Sequence, residues 1–233
     1  MVAVLLEMDL PTPSKHPFWF IAIFVAVMIA LGAVSLFRFM VATWRDRAKE
    51  RAEWKAFPAK YGLALVASSK GGVAYEGKVE GYRVMLKTGA AYAPQDERRR
   101  KPAGAGYVCI AVQCTQPQPV GLQLWKQTDV DEERKETRKL NELIIGDEEL
   151  DRALIIRGKQ AAQIKALLCQ PEVNDSLLEF FEHWPMGIVT DYWVKCEEDT
   201  GHAGVQSPDA MLGEALELAK TLDRHALKPQ GLR

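Results

Sequence analysis

The sequence lacks the short motifs that mark the common catalytic and metal-binding sites. Its four cysteines form no CxxC pair, its four histidines form no HExxH motif, and no serine stands in a GxSxG elbow. The glycines form neither a GxxxxGK[ST] loop nor a dinucleotide-binding loop between a strand and a helix. We therefore predict no catalytic residue, no cofactor and no metal site. A non-enzymatic role is favoured, and an enzymatic one stays open.

An excess of one charge is also missing. The chain has 30 Lys and Arg residues against 31 Asp and Glu residues, which gives a formal net charge of −1 over 233 residues. Nucleic-acid-binding proteins usually carry a clear basic excess, and disordered solvating chains carry a high net charge. The balance therefore argues against a nucleic-acid partner and for a folded domain.

Cysteine is scarce and widely spaced. Cys109 and Cys114 lie five positions apart in an apolar stretch, and an odd spacing on a strand directs two side chains to opposite faces. The two thiols therefore cannot share a metal ion. We expect the cysteines to be buried, reduced thiols, which fits a reducing compartment.

Only one long hydrophobic run is present, and it contains no charge. Residues 18–37 have the sequence FWFIAIFVAVMIALGAVSLF. A helix of about 20 residues spans about 30 Å, the hydrocarbon thickness of a bilayer, and tryptophans near both ends fit the interfacial zones. The run predicts a transmembrane helix over residues 18–41, in contact with membrane lipid. The residues that mark this anchor are Phe18, Trp19, Phe37, Arg38 and Trp44.

The charges on either side of this run predict its orientation. Lys15 precedes the run, and a larger set of cations follows it: Arg38, Arg45, Arg47, Lys49 and Arg51. Basic residues stay on the cytoplasmic side of a membrane. We therefore expect a single-pass protein of the plasma (inner) membrane, with residues 1–17 outside and the C-terminal domain in the cytoplasm. A cleaved signal peptide is the alternative, but no basic cluster precedes the run and its apolar core is too long.

Three segments follow the predicted membrane helix. Residues 42–61 are rich in helix-forming residues and polar on nearly all sides, which predicts a helical stalk. Pro58 disfavours helix at the preceding residue, and Gly62 provides a helix stop. Residues 62–225 are predicted to form the cytoplasmic domain, and residues 226–233 form a tail.

Strand and helix patterns are mixed within this domain. Apolar and polar side chains alternate over Tyr82–Lys87, which predicts a strand with one buried face. Further strands are predicted at 73–79, 107–114, 122–125 and 153–157, and as two segments within 186–197. Helices are predicted over 160–168, from Pro171, and from a cap at Ser207. Because the strands come in neighbouring groups, we predict an α+β domain with an antiparallel sheet covered by helices.

A run of four cations lies in a predicted exposed loop: Arg98, Arg99, Arg100 and Lys101. Each cation near an anionic membrane surface contributes about 1 kcal/mol of binding energy, so these residues are a candidate lipid contact. The alternative is a solvated loop, partly neutralised by Asp96 and Glu97.

The stretch from Ile145 to Gly158, IGDEELDRALIIRG, precedes a double leucine, a proline-led helix and a strand pair. Upstream stand YGL at 61–63, EG at 76–77 and YRV at 82–84. Together these pieces, over residues 55–225, resemble a pattern in uncharacterised bacterial single-pass membrane-anchored proteins. The resemblance implies a bacterial source, a domain of unknown function and no catalytic residues. Asp147 and Asp151 stand where that pattern has acidic residues. A turn cap and the end of a helix or strand are sufficient explanations for them.

Three functions remain open on this sequence. A membrane-tethered, non-catalytic module that binds protein partners at the cytoplasmic face is favoured, because a stalk and a mixed domain come without a convergent catalytic set. A ligand sensor or enzyme would need a pocket that brings Cys169, Cys196 or His202 beside an acid. An anionic-lipid-contacting module would use the four cations of the predicted loop.

Overall fold

The computed structural model describes residues 17–69, 72–90, 106–128, 142–199 and 206–226. The chain divides into two compact units, Met1–Arg51 and Ala52–Arg233. Helix α1, Pro17–Lys60, crosses the boundary between them.

The first unit is, in its described part, one helix, which is apolar before Arg38 and highly charged from Arg45 onward. Its large side chains from Ile23 to Met40 are exposed on all sides, with Phe37 at 63% exposure. An 18-residue stretch of this helix has a mean hydropathy of 2.3, and none of the stretch is buried. By length and composition it is one helix that can cross a bilayer, or a signal sequence. The predicted long apolar helix is confirmed as a helix.

The end of α1 belongs to the second unit. Phe57 is 1% exposed within the core of that unit and contacts the ring of Tyr61, with 4.8 Å between centroids. Helix continues through Pro58 and ends in a Schellman arrangement, in which Gly62 takes a φ of 64° and Leu63 N–H donates to the carbonyl of Pro58 at 2.8 Å. Burial of Phe57 and this cap offset the cost of proline. The second unit starts at Ala52, so the last residues of α1 are part of it.

An eight-stranded sheet forms the second unit, in the order β1-β2-β3-β4-β8-β7-β5-β6, and every neighbouring pair is antiparallel. The predicted antiparallel α+β fold is confirmed. At the β2–β3 turn, Glu80 and Gly81 both have positive φ, as a tight two-residue hairpin turn requires. The strands are β1 Ala64–Ser69, β2 Gly72–Val79, β3 Tyr82–Ala90, β4 Gly106–Gln113, β5 Gln123–Lys126, β6 Leu154–Arg157, β7 Ile188–Thr190 and β8 Trp193–Asp199.

Four helices accompany the sheet in the described part of this unit: α2 Glu148–Ala153, α3 Ala161–Leu168, α4 Pro171–His183 and α5 Pro208–Arg224. Ser207 caps α5, as predicted, by accepting the Ala210 N–H at 3.2 Å. The predicted apolar stripe of α4 is buried, including Phe181 and Trp184. Helix α2 lies where only a turn was expected, because Asp147 caps it through the N–H groups of Glu149 and Leu150.

The core lies on one side of the sheet. The strand residues that enter the core stand at alternate positions, as Val84 and Leu86 of β3 do. They pack against buried helix side chains, among them Phe57 of α1 and Leu222 of α5. From β4 the same core includes Val108, Ile110 and Val112. The alternation predicted for β3 is confirmed, with Arg83 and Lys87 exposed.

Candidate interaction surface

The sheet has a second face that the core cluster does not use. Cys109, Ala111 and Ile155 are buried on that side yet lie outside the cluster that gathers the buried helix side chains. We call this side the open face, and in the described structure its central row crosses the sheet by direct pairing. The row is Glu76, Met85, Ala111, Lys195, Ile188, Trp125 and Ile155.

Two tryptophans with stacked arginines mark the open face. Arg157 lies over the Trp125 ring at 4.9 Å from its centroid, and Arg83 lies 5.9 Å from the centroid of Trp193. Arg83 also donates two hydrogen bonds to Glu76, at 2.6 and 3.0 Å, and hydrogen bonding to Arg83 lowers the pKa of that carboxyl. These contacts fix long side chains in place before any partner binds. Tryptophan, arginine and methionine are also the residues enriched at protein interfaces.

The open face carries a basic excess. In the described strands its alternating positions hold five cations, namely Lys78, Arg83, Lys87, Arg157 and Lys195, against three acidic residues, Glu76, Glu197 and Asp199. Lys78 and Arg83 stand directly opposite each other on β2 and β3. Like charges in that position destabilise a sheet, and the Glu76 carboxylate offsets this cost for Arg83 but not for Lys78.

Several conspicuous aspartates elsewhere serve the fold. Asp223 accepts the N–H groups of Thr115 and Gln116, both at 2.9 Å. Asp191 accepts two consecutive N–H groups, from Gly121 at 2.8 Å and Leu122 at 2.7 Å. Each carboxylate thus fixes one loop by satisfying backbone donors that would otherwise be unpaired.

The two acids matched by the resemblance behave in the same way. Asp147 caps α2 and also accepts the Asn174 side-chain amide at 2.8 Å. Asp151 accepts the N–H groups of Ile145 at 3.0 Å and Gly146 at 2.8 Å. Asp147 is thus a cap, as expected, whereas Asp151 lies within α2 and not at the end of an element.

A polar cleft of about 480 Å³ lies beside the end of β4 and is lined in part by Tyr82, Thr115, Lys220 and Asp223. Its charged groups already have partners, because Lys220 is paired with Glu80 at 2.8 Å and with Glu217 at 2.7 Å. The hydroxyl of Thr115 donates to Asp223 at 2.6 Å. Among its described lining residues, the cleft therefore presents no unpaired nucleophile or base.

The cysteines do not assemble a reactive site. Cys109, Cys114 and Cys196 are buried, as expected, and burial raises the pKa of Cys114 to about 12. Burial also raises the pKa of Cys196 well above its ordinary value. Cys169 is exposed, contrary to expectation, because it follows the last residue of α3. Among the described residues, no three His, Cys, Asp or Glu side chains are placed to hold a metal ion.

Two histidines join the helices to one another. His183 contacts Glu214 at 3.0 Å, and the same carboxylate accepts the Trp184 indole N–H at 2.7 Å. His225 contacts Glu172 at 2.6 Å and, with its hydrogen bond, lowers the pKa of that carboxyl. These contacts connect α4 with the C-terminal part of the chain.

The other predicted site residues are placed as follows. Phe37, Arg38 and Trp44 lie on α1, where Trp44 is 67% exposed. Phe18 and Trp19 belong to the same helix, but their side chains are outside the described part. Also outside it are His202 and the four cations Arg98, Arg99, Arg100 and Lys101, so the lipid contact stays a prediction.

Comparison of the chain with protein-family models, curated proteins and solved structures found no significant match. The open face must therefore be interpreted from its own chemistry. Its tryptophans and arginines were not among the predicted site residues. A usable signal existed in β3, where Arg83, Met85 and Lys87 alternate with the core positions.

Proposed function

We propose that this protein is a membrane-tethered, non-catalytic module that binds a protein partner through the open face of its sheet, on the cytoplasmic side. The observation that carries the proposal is the pair of Trp–Arg stacks on a face that the core leaves unused. Rigid aromatic and arginine side chains supply most of the binding energy in protein interfaces. The alternative of a ligand sensor or enzyme gains no support from the described clefts.

The tether is proposed from the chemistry of α1. A run of exposed apolar side chains as long as Ile23–Met40 is costly in water and is satisfied by lipid. The cations that follow it favour the cytoplasmic side for the domain.

Labelling of Cys169 tests the orientation, since it is the one exposed thiol and the other three cysteines are buried. A membrane-impermeant maleimide should label the full-length protein in inverted inner-membrane vesicles and not in intact cells. Labelling in intact cells would contradict the cytoplasmic placement. Recovery of the protein in the soluble fraction after cell lysis would contradict the tether.

Partner binding is tested by chemical crosslinking in the native membrane, followed by capture of the full-length protein. We expect Trp193→Ser to reduce recovery of the partner at least about tenfold, because one of the two arginine-stacked tryptophans is removed. Tyr192→Ser is the matched control, because Tyr192 is 44% exposed but precedes β8 and lies in the turn. Equal recovery with the wild type and both variants would show that the open face is not the binding surface.

A further inference from the structure

The net charge of −1 conceals two surfaces of opposite sign. Helix α4 carries Asp175, Glu179 and Glu182 on one stripe, at spacings of four and three residues, and all three are exposed. In the described structure none of these three carboxylates forms an ion pair. Like charges at such spacings destabilise a helix, so the stripe costs the isolated domain stability.

A groove of about 390 Å³ continues this acidic surface between α4 and α5. Phe180 and Leu218 form its apolar floor, and Glu179 and Glu217 are among its other lining residues. Space is open above Gly213, since a side chain added there would meet no atom within 4 Å. The α4 stripe and this groove are together called the acidic helix face.

The open face has the complementary charge and the same internal repulsion. Lys78 opposes Arg83 across β2 and β3, and neither Lys78 nor Lys87 has an ion pair in the described part of the chain. Both surfaces therefore hold like charges close together, and each would be relieved by the other.

We infer that the partner of the open face is a second copy of this chain, which presents its acidic helix face. This inference rests on the proposed function, because it names the occupant of the same surface. The two surfaces lie on different sides of one unit, the core side and the open side, so the contact is heterologous and joins copies head to tail. Copies held in one membrane have a raised effective concentration, so a modest interface suffices for assembly.

The test uses the full-length protein reconstituted in liposomes, with donor and acceptor dyes on Cys169 of separate batches. Energy transfer between copies is measured over a range of protein-to-lipid ratios. Lys78→Glu/Lys87→Glu reverses the open face, and Glu179→Lys/Glu182→Lys reverses the acidic helix face. Each double variant alone should associate at least about tenfold more weakly than the wild type, because like charges then meet at the contact.

Mixing the two double variants should restore energy transfer, since each then meets an opposite charge on the other. Restoration also shows that both variants are folded. Arg152→Glu/Lys165→Glu is the matched control for the open-face variant, because it lowers the net charge by the same amount at exposed positions on α2 and α3. We expect that control to associate like the wild type.

Three results would overturn the inference: unchanged association of either double variant, an equal loss in the matched control, or no restoration on mixing. Absence of energy transfer in the wild type would also overturn it. The wild type would then be expected to capture a different protein in native membranes, and Trp193→Ser to lose it. That result would support the proposed function with another partner.

Discussion

The two faces of the sheet are built from the same strands and serve different ends. In β4, Val108, Ile110 and Val112 enter the core, whereas Cys109 and Ala111 lie between them on the open face. The core face gains its stability from large apolar side chains buried under helices. The open face has the small side chains of Cys109 and Ala111 on β4 and carries its tryptophan–arginine pairs on other strands. One strand thus supports folding with one set of side chains and a surface with the other.

The sharpest way to test this contrast is to truncate one large side chain on each face. Ile110 is fully buried in the core, and Ile110→Ala should lower the free energy of unfolding by about 3 kcal/mol. Met85 is half-buried on the open face, and Met85→Ala should cost about 1 kcal/mol or less. Urea unfolding followed by circular dichroism measures both. Equal losses would mean that the open face is part of the folding core.

A second contrast concerns carboxylates, between those that hold loops and those that face outward. Asp223→Ala should destabilise the domain by about 2 to 3 kcal/mol, because the donors of Thr115 and Gln116 lose their acceptor. Asp175→Ala, on the exposed stripe of α4, should be neutral or slightly stabilising. The same urea experiment decides this, and a larger loss at Asp175 than at Asp223 would contradict the proposed roles.

The smallest expected effect concerns the contact between the end of α1 and α5. Lys60 donates to Asp209 at 2.5 Å, and this hydrogen bond lowers the pKa of Asp209 below its ordinary value of 3.8. A carboxyl with a lowered folded pKa stabilises the fold above its unfolded pKa, and that contribution is lost as the pH falls through the folded pKa. Both side chains are about half exposed, so the effect is small.

The corresponding experiment compares the unfolding midpoints of the wild type and Lys60→Met between pH 6 and pH 2. The wild type should be the more stable at pH 6, and the difference should vanish towards pH 2 as Asp209 becomes protonated. A difference that is constant with pH would show that Lys60 acts through packing of its alkyl chain instead.

Local signals in the sequence were sufficient for much of the fold. The alternation in β3, the apolar stripe of α4 and the cap at Ser207 all lie where the sequence predicts them. These features depend on neighbours within a few residues, and periodicity and capping describe such neighbours well.

The open face could not be derived in the same way. In β6, Leu154, Ile155 and Ile156 are all apolar and all buried, so alternation does not say which side faces the core. The strand order, in which β8 lies between β4 and β7, depends on contacts far apart in the chain. Only this order brings the Arg83–Trp193 and Arg157–Trp125 pairs to one face.

Hydroxyl-radical footprinting of the full-length protein tests the central claim most directly, with a comparison of native membranes and purified protein in dilute detergent. If the open face is occupied in the membrane, oxidation of Trp193, Trp125 and Met85 should be at least about threefold lower there, because a partner excludes water from an interface core. Tyr192, in the adjacent turn, should react equally in both samples. Equal oxidation of Trp193 and Met85 in membranes and detergent would contradict the assignment of the open face as the binding surface.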